Sequence, residues 1–411
     1  MRIECIAIGS ELLTTKRLDT NSVWIAERLA GMGLGLHRKT AVGDHREDLA
    51  ELCEEAFRRS DAIICTGGLG PTFDDFTKEV WADAFGVELV EDAGCRSDLL
   101  AWYAQRNRVP PPSNFKQVLF PAGAKPLGNP LGTAPGVFWE RNGKLIFMLP
   151  GVPREMKRMW MDHVEPVLKP LAGAATHTLR LVVCGVPEST LDQRTEAIRD
   201  RHPHLEWTIL AGLTQVELVL RSGDSMALEA AREELVPELG QDLACIGSGD
   251  LESVVLDALK ARGETLAVAE SMSGGLVASR LTAIPGCSEA FTGGAVVYSA
   301  AAKIALAGLD PAFLQEHGTV GGPTALALAK GIRGKCGATW GLGITGNAGP
   351  TLDAGGKDRP LGDCALAVAG PWGEETRTFI VPGDRVDIQL RSAAWALDLL
   401  RRTMLSAPLL R

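Results

Sequence analysis

The sequence predicts an α/β protein with two Rossmann-like α/β domains joined by a small α+β (KH-like) module. In residues 1–169 and again in residues 251–411, short apolar segments alternate with helical patterns. Such alternation is typical of βαβ units that build a parallel sheet. Residues 170–246 instead combine half-buried alternating strands with two helices. The 411 residues also exceed what one hydrophobic core usually serves.

The first domain begins with an apolar strand that ends at Gly9, and its elements then follow in βα order. The pattern predicts a strand, a helix opened by Asn21, a second strand, a second helix and a third strand, at Ile3–Ile8, from Asn21 onward, Leu34–Thr40, Arg46–Arg59 and Asp61–Cys65. Because three prolines stand at 110–112, we expect residues 110–113 to form a stiff loop.

The middle module is predicted from period-two and helical patterns in turn. Its expected strands are Thr176–Cys184 and Thr214–Arg221, and its expected helices are Pro187–Arg199 and Ser225–Leu239. The glycine-containing segment 247–250 that follows is predicted to be a linker, in which Asp250 caps the next helix.

In the last domain the βα alternation resumes. We expect helices at 251–262, 274–284, 299–307, 323–333 and 384–403, and strands at 265–269, 295–298, 338–344, 364–369 and 376–381.

The composition excludes several classes of protein. Lys and Arg number 42 against 51 Asp and Glu, so the net charge of −9 disfavours binding led by nucleic-acid phosphates. Because the amino terminus carries Glu4 and Glu11, we do not expect it to be a signal peptide, and no run of 18 apolar residues predicts a membrane span. The nine cysteines are scattered without a CxxC pair. We therefore expect a reduced, cytoplasmic protein without disulfides or a cysteine-based zinc site.

A glycine-rich turn with two acids marks the first candidate site. The segment TGGLGPTFDDFT, residues 66–77, follows a strand and precedes a helix. Free backbone amides in such a turn favour an anion. Asp74 and Asp75 would repel a phosphate, so a bridging divalent cation with oxygen ligands is required. The alternative is a ligand-free capping box between Thr72 and Asp75.

A serine and a lysine mark the second candidate site. Ser271 lies between a predicted strand and a helix, where the helix N-terminus favours negative charge, and amides near Gly274 and Gly275 could meet an oxyanion. Lys303 follows the next strand, and a buried lysine can act as a base toward a hydroxyl. Tyr298 could hold or relay the proton. The alternatives are a helix cap for Ser271 and a solvated lysine.

The blocks IGSELLTTKRLDTNS, TGGLGPTFDDFTKE, NPLGTAPGVF and FMLPGVPREM resemble the molybdopterin-binding-like domain of the CinA family. The resemblance implies a divalent metal (Mg or Co)-dependent ADP-ribose pyrophosphatase that releases AMP and ribose 5-phosphate. It implies metal ligands at Asp74, Asp75 and Glu11. The implied ADP-ribose pocket comprises Asn21, Thr66, Gly67, Gly68, Gly70, Thr72, Asn129, Gly132, Pro150 and Gly151, with Asp19, Thr133, Pro135 and Glu155 in the same blocks.

The blocks AESMSGGLVASRLTAIPGCS, GGAVVYSAAAK, GITGNAGP and PLGDCALAV resemble the CinA carboxy-terminal domain. The resemblance implies hydrolysis of nicotinamide mononucleotide (NMN) to nicotinic acid mononucleotide and ammonia, without a cofactor. Ser271 would be the nucleophile and Lys303 its base, with Tyr298 beside them. Gly274, Gly275, Thr345 and Arg385 would contact substrate, Arg385 through a phosphate or carboxylate.

This chain departs from the family pattern at two places near the serine. Met272 stands where the family usually has Cys, and Ser273 where it usually has Thr. A mechanism with Ser271 as the nucleophile is compatible with Met272, whereas a mechanism with the family's cysteine as the nucleophile is not. The loop 351–359 is also unlike the shorter family form, which removes the basis for transferring substrate contacts to it.

The middle module resembles the family's KH-like region, but it has no GxxG clamp between its helices. A packing or dimerisation role is therefore expected, and the protein is expected to be a homodimer that binds small nucleotides. Two alternatives stay open. The amino-terminal domain could bind a pterin or nucleotide without catalysis, or the chain could be an accessory protein in competence or DNA repair.

Overall fold

The computed structural model describes residues 1–15, 17–173, 177–247, 249–350 and 360–406. The chain divides into two compact units, Met1–His177 and Thr178–Arg411. None of the helices in these ranges is both long enough and apolar enough to cross a membrane.

In the amino-terminal unit the strands are β1 (Ile3–Ile8), β2 (Leu36–Val42), β3 (Ala62–Thr66), β4 (Leu89–Glu91), β5 (Leu119–Pro121), β6 (Lys125–Leu127), β7 (Gly136–Arg141) and β8 (Lys144–Leu149). The helices are α1 (Glu11–Thr14), α2 (Thr20–Gly31), α3 (Arg46–Arg59), α4 (Thr77–Ala84), α5 (Ala93–Ala104), α6 (Pro153–Met159) and α7 (Glu165–Leu168). The main sheet has the order β2-β1-β3-β8-β7-β6. Its first four strands are parallel, while β7 pairs antiparallel with β8, and β6 pairs antiparallel with β7.

Both faces of this sheet are covered, which explains the continuous apolar character of its central strands. In β1, Ile3 and Cys5 join one buried cluster, and Ile6 and Ile8 join a second cluster. Successive side chains of a strand point to opposite faces, so the two clusters lie on the two faces of the sheet. The predicted parallel α/β arrangement is confirmed, with an antiparallel extension at one edge.

Most predicted elements of this unit are confirmed, with small corrections. β1 and α3 have the predicted bounds, whereas β2 begins two residues later than predicted. Helix α2 begins at Thr20 rather than at Asn21, because the Asp19 side chain caps it by accepting a hydrogen bond from Ser22 N at 2.9 Å. The loop predicted at 110–113 is wrong in its second half, because a 3₁₀ helix, Pro112–Val118, begins within it.

In the carboxy-terminal unit the strands are β9 (His177–Val183), β10 (Glu206–Ala211), β11 (Val216–Ser222), β12 (Leu243–Ile246), β13 (Leu266–Glu270), β14 (Phe291–Val296), β15 (Trp340–Gly346), β16 (Asp363–Gly370) and β17 (Gly373–Ile380). The helices are α8 (Glu188–Arg201), α9 (Ser225–Leu239), α10 (Leu251–Arg262), α11 (Leu276–Thr282), α12 (Ala300–Ala307), α13 (Pro311–His317), α14 (Gly322–Cys336) and α15 (Arg385–Leu405). One sheet has the order β10-β11-β9-β12 and the other β14-β13-β15-β16-β17.

The five-stranded sheet fixes the place of the second candidate site. Strands β14, β13 and β15 are parallel neighbours, so their carboxyl ends meet at one edge. Ser271 follows β13, Tyr298 follows β14, and Asn347 follows β15. Strands β16 and β17 extend the sheet antiparallel on the other side.

The predicted linker at 247–250 does not separate two independent cores in this unit. Val182 and Ala244 of the four-stranded sheet, and Cys184 directly after β9, share one buried cluster with Leu251 and Val255 of α10. The segment is also tied down, since Gly247 N donates to Arg180 O at 2.8 Å. Asp250 caps α10 as predicted, by accepting from Ser253 N. Ser248 lies outside the described residues.

Three elements of this unit were not predicted from the sequence. Strands β10 and β12 are the two edge strands of the module's sheet; β10 is only partly buried, and β12 has four residues. Helix α13 has only seven residues, so it offers too few turns for a periodic pattern, although Asp310 caps it and Pro311 occupies its first position.

The nine cysteines are free thiols, and five of them are buried. Burial raises the pKa of Cys65 to about 12 and that of Cys364 to about 12. These thiols therefore stay protonated near neutral pH and serve as small apolar side chains.

A buried arginine joins the module to the carboxy-terminal domain, and its removal tests that connection. Arg401 is 2% exposed, donates to Leu243 O at 3.0 Å and pairs with Asp398 at 2.7 Å. We expect Arg401→Ala to lower the free energy of unfolding by about 3–5 kcal/mol, because Asp398 and two carbonyls lose their buried partner. Urea unfolding measures this loss.

The matched control is Lys330→Ala. Lys330 pairs with Glu374 at 2.8 Å, but both side chains are about half exposed. Its loss should cost less than about 1 kcal/mol. Equal urea midpoints for Arg401→Ala and Lys330→Ala would contradict the proposed importance of the buried contact.

Candidate active sites

The loops that leave β1, β3 and β8 surround a cavity of about 790 Å³ in the amino-terminal unit. These strands are parallel neighbours, so the loops after their carboxyl ends must lie side by side. The cavity brings together most of the residues assigned to the ADP-ribose site from the sequence, namely Glu11, Asp19, Asn21, Thr66, Gly67, Gly68, Gly70, Thr72, Asp74, Asp75, Thr133, Pro150, Gly151 and Glu155.

The glycine turn forms the floor of this cavity because side chains would not fit there. Gly67 has a φ of 104°, and a Cβ on it would collide with the carbonyl oxygen of Ile8. Gly67 N donates to Leu149 O at 2.9 Å, which ties the turn to the end of β8. A Cβ on Gly68 would collide with Thr77 Oγ1. This hydroxyl donates a hydrogen bond to Gly67 O at 3.0 Å.

The alternative capping box at Thr72 and Asp75 is wrong in its placement. Helix α4 begins at Thr77 after Phe76, so Thr72 and Asp75 form a turn that precedes the helix. Asp75 Oδ2 accepts from Thr72 N at 2.9 Å and also from the Thr72 hydroxyl. Asp75 therefore shapes the turn, while its carboxylate still faces the cavity.

The wall of this cavity is strongly acidic. Among the described residues that line it, the carboxylates are Glu11, Asp19, Asp44, Asp74, Asp75 and Glu155, and the cation is Arg17. Several of these acids already accept backbone hydrogen bonds, since Asp19 caps α2 and Asp44 accepts from Ser10 N at 2.7 Å. An anionic ligand would need compensating positive charge here.

The three expected metal ligands do not form one cluster. Within the described residues, no three or more His, Cys, Asp or Glu side chains come close enough to hold a metal ion together. Glu11, Asp74 and Asp75 line the cavity separately. Their oxygen donors nevertheless suit a hard cation such as Mg²⁺, which commonly uses one or two carboxylates together with substrate phosphates and water.

Asn21 and Glu155 anchor the loops around the cavity. Asn21 Nδ2 donates to Gly151 O at 2.9 Å, and its Oδ1 is buried without a partner among the described residues. Glu155 Oε2 accepts from Asn129 Nδ2 at 2.7 Å. Asn129 and Gly132 line a neighbouring cavity instead, together with Pro135. These last three residues support the wall rather than form the floor.

The second site is a cavity of about 210 Å³ in the carboxy-terminal unit. Lys303 Nζ lies 3.0 Å from Ser271 Oγ and donates to Val297 O at 2.8 Å. Lys303 is 1% exposed and Ser271 is 6% exposed, so the pair is shielded from water. The cap of α12 orients the lysine, because Ser299 Oγ accepts from Ala302 N at 3.1 Å.

Arg385 and Tyr298 lie at the mouth of the same cavity. Arg385 Nη2 donates to Tyr298 Oη at 3.0 Å, and Nη1 donates to the Gly349 carbonyl. Arg385 stands at the first position of α15, after the Asp384 cap. Tyr298 is 61% exposed, so the structure places its hydroxyl beside Arg385 at the entrance.

Glu270 occupies the helix N-terminus that the sequence assigned to an oxyanion. Its carboxylate accepts from Val277 N at 3.0 Å and from Ala278 N at 2.9 Å, and it is 1% exposed. Gly274 N donates to Ser271 O at 3.1 Å. The expectation that amides near Gly274 and Gly275 meet an oxyanion is therefore wrong. These glycines shape the turn, with φ of 67° and 96°, and are not among the residues that line the cavity.

Thr345 lies behind the cavity rather than in its wall. It is fully buried, and its hydroxyl donates to Thr319 O at 2.8 Å. Thr319 does line the cavity, so Thr345 supports the wall. The expected direct contact with substrate is thus replaced by a supporting role. The loop 351–359, for which substrate contacts were in doubt, lies outside the described residues.

Three polar residues of this site were missed in the sequence. Asn347 lines the cavity, Glu270 supports the serine turn, and Gln389 Nε2 donates to Met272 O at 2.8 Å. Glu270 could have been found as an acid within an apolar strand, and Asn347 as a polar residue in the turn after β15. Gln389, one turn after Arg385 on α15, carries no local signal.

Two family models match the chain, one near each end. The family described as "Probable molybdopterin binding domain" matches residues 4–170, and the "CinA C-terminal domain" matches residues 248–404. The chain is 40% identical to the "CinA-like protein" of Myxococcus xanthus over 423 residues, which cover 99% of both chains. It is 41% identical to the "CinA-like protein" of Prochlorococcus marinus over 98% of this chain and 96% of that one.

Among solved structures, the protein CinA of Thermoplasma acidophilum, described as of unknown function, is 32% identical with a TM-score of 0.37. That match covers 40% of this chain and 97% of the other. Because relatives of 40% identity align along nearly its whole length, this chain belongs to the CinA-like family.

Proposed function

We propose that the carboxy-terminal unit hydrolyses the carboxamide of NMN to nicotinic acid mononucleotide and ammonia. The observation that carries this proposal is the 3.0 Å separation between Lys303 Nζ and Ser271 Oγ in a buried setting. A serine needs a base before it can attack an amide. Burial disfavours the charged form of an amine, and the neutral form can accept the hydroxyl proton.

The proposed reaction proceeds through an acyl-enzyme. Lys303 takes the Ser271 proton while Oγ bonds to the carboxamide carbon, and the C=O electron pair moves onto oxygen. Collapse of this tetrahedral adduct breaks the C–N bond, and ammonia leaves with the proton that Lys303 held. Water, deprotonated by Lys303, then cleaves the ester and restores Ser271.

Arg385 is proposed to bind the phosphate of NMN at the cavity mouth. Its guanidinium is held by Tyr298 Oη and the Gly349 carbonyl, so it is oriented before substrate arrives. Arginine binds phosphate well because its donors form a rigid fork. Tyr298 would then act by holding Arg385 rather than by relaying a proton.

For the amino-terminal unit, we propose cleavage of the diphosphate of ADP-ribose to AMP and ribose 5-phosphate. The large acid-lined cavity with a glycine floor supports this assignment. One or two of the carboxylates of Glu11, Asp74 and Asp75 would hold a divalent cation. The bound cation would neutralise phosphate charge and activate water. The amides of the glycine turn other than Gly67 N, which already donates to Leu149 O, would bind phosphate oxygens directly.

Two rival functions predict other outcomes. If the amino-terminal unit only binds a pterin or nucleotide, ADP-ribose would bind without release of AMP. An accessory role in competence or DNA repair would require contact with nucleic acid or with another protein. The net charge of −9 opposes nucleic-acid binding led by phosphate contacts.

The serine and the lysine should act as a unit. Ser271→Ala removes the attacking atom, and Lys303→Met removes the base while preserving the length of the side chain. Each should lower ammonia release from NMN by at least about a thousandfold, and the double variant should be little worse than either. Lys330→Met, on the surface of the same unit, is the control and should keep full activity. Losses that multiply in the double variant would contradict the dyad.

Arg385 should affect binding through the phosphate. Arg385→Met should raise KM for NMN by about 10- to 100-fold, the loss typical of a hydrogen bond to a charged group. It should leave KM for nicotinamide riboside, which has no phosphate, nearly unchanged. Steady-state kinetics with both substrates measures the difference. Equal losses with both substrates would show that Arg385 serves only the architecture of the mouth.

Asp75 should be needed for the first activity alone. Asp75→Asn keeps an acceptor for Thr72 N but removes the charge, so AMP release from ADP-ribose should fall by at least about a hundredfold. Ammonia release from NMN should be unchanged. Asp83→Asn is the control, because Asp83 pairs with Arg46 away from the cavity. Unchanged AMP release in Asp75→Asn would leave Asp75 with a purely structural role in its turn.

A further inference from the structure

We propose that Asn347 Nδ2 is the hydrogen-bond donor that holds the carboxamide oxygen of the substrate and stabilises the negative charge it acquires. This inference rests on the proposed deamidase function and adds a residue that directly contacts the reacting group. Asn347 lines the same cavity as Ser271 and Lys303, at the end of the parallel strand that lies next to β13.

The orientation of the Asn347 amide is fixed by its own neighbours. Its Oδ1 accepts from Gly349 N at 3.0 Å, so the opposite atom, Nδ2, must be the free edge of the amide. The backbone is held on both sides: Asn347 N donates to Asp363 O at 2.7 Å, and Asn347 O accepts from Gly362 N at 2.8 Å. A flip of the amide would break the bond to Gly349 N.

The Nδ2 donor is buried without an acceptor among the described residues. Asn347 is 8% exposed, and its Nδ2 has no hydrogen-bond partner there. Buried polar groups are nearly always satisfied, and exceptions commonly mark a site that a ligand completes. Because Asn347 lines the serine cavity, we take an acceptor atom of the ligand as the partner of this donor.

The carboxamide end of the substrate is a better partner for Asn347 Nδ2 than the phosphate end. Arg385 already provides a fixed cation at the mouth. The turn that carries Asn347 is packed onto the serine turn, because Ser271 N donates to Ile344 O at 3.0 Å and a Cβ on Gly346 would collide with Met272 Sδ.

Three backbone amides near the serine turn already have acceptors within the part of the chain that the structure describes. The amides of Val277 and Ala278 at the start of α11 are taken by Glu270, and Gly274 N donates to Ser271 O. An acyl-transfer site needs donors aimed at the developing oxygen charge. Asn347 Nδ2 meets that need with a geometry set before substrate binds.

The test uses the full chain and two substitutions, Asn347→Ala and Asn347→Asp. The aspartate keeps the size and the acceptor for Gly349 N, but it replaces the donor by an oxygen. Both variants should lower kcat for NMN by about 10²–10³-fold, the loss typical of one oxyanion donor. Asn142→Asp, the same change on an exposed hairpin turn, is the matched control and should keep full activity.

A second measurement reads binding without turnover. In a Ser271→Ala background, calorimetry gives Kd for NMN and for nicotinic acid mononucleotide. Asn347→Asp should weaken binding of the carboxylate product at least about tenfold more than binding of NMN, because the introduced carboxylate repels the product's carboxylate. Thermal unfolding of each variant checks that the fold is intact.

The outcomes separate the two hypotheses. If the unaltered chain releases no ammonia from NMN, the proposed deamidase fails before any variant is made, and this inference fails with it. If the unaltered chain is active but Asn347→Asp keeps its rate and its affinity for the product, Asn347 is not the donor. A third outcome is that Asn347→Asp weakens binding of NMN and of nicotinic acid mononucleotide equally and leaves binding of nicotinamide riboside unchanged. Asn347 would then contact the phosphate, and the inference would be overturned.

Discussion

Adjacent parallel strands end at the same edge of a sheet, and this constraint creates both candidate sites of the chain. In the amino-terminal unit, β1, β3 and β8 deliver their loops to one cavity. In the carboxy-terminal unit, β13, β14 and β15 deliver Ser271, Tyr298 and Asn347. Residues up to 76 positions apart in sequence, such as Ser271 and Asn347, therefore share one wall without any local contact.

Much of the polar chemistry near the serine serves to hold the backbone rather than to react. Glu270 binds two amides at the start of α11, and Gln389 binds the carbonyl of Met272. Thr345 binds the carbonyl of Thr319. Each of these groups has a partner within the protein, so a buried donor or acceptor without a partner is more informative. By this reasoning, the unpartnered Nδ2 of Asn347 is a better candidate for contact with a ligand than the buried hydroxyl of Thr345.

The sequence predicts the order of the βα elements well because strand and helix patterns are local. It also predicts the residues of the glycine turn and the serine–lysine pair, which the family resemblance identifies by motif. It fails where the decisive interaction joins distant segments. Arg401 and Leu243, which unite the module with the last domain, are 158 residues apart, so the linker inferred at 247–250 gave no hint of a shared core.

The same limit explains the corrections within the sites. A helix N-terminus is available to a ligand only if no side chain already fills it, and that depends on how the preceding strand turns. Glu270 fills the N-terminus of α11 from the end of β13. Thr72 and Asp75 match a capping box by spacing alone, but Phe76 is the cap and α4 begins at Thr77, beyond both residues. Spacing identifies candidate partners, whereas the path of the backbone decides which of them meet.

The two cavities differ in charge, and this difference accounts for the different chemistry proposed for them. The amino-terminal cavity has six carboxylates and Arg17 among its described lining residues. A diphosphate bound there requires an added cation. The carboxy-terminal cavity instead places Lys303 and Arg385 at its two ends, with no carboxylate among the described residues that line it. In the proposed deamidase, Arg385 would neutralise a single phosphate directly and Lys303 would exchange a proton with Ser271. The proposal of a metal-dependent reaction in one unit and a metal-independent one in the other thus follows from the charge of the residues that line each cavity.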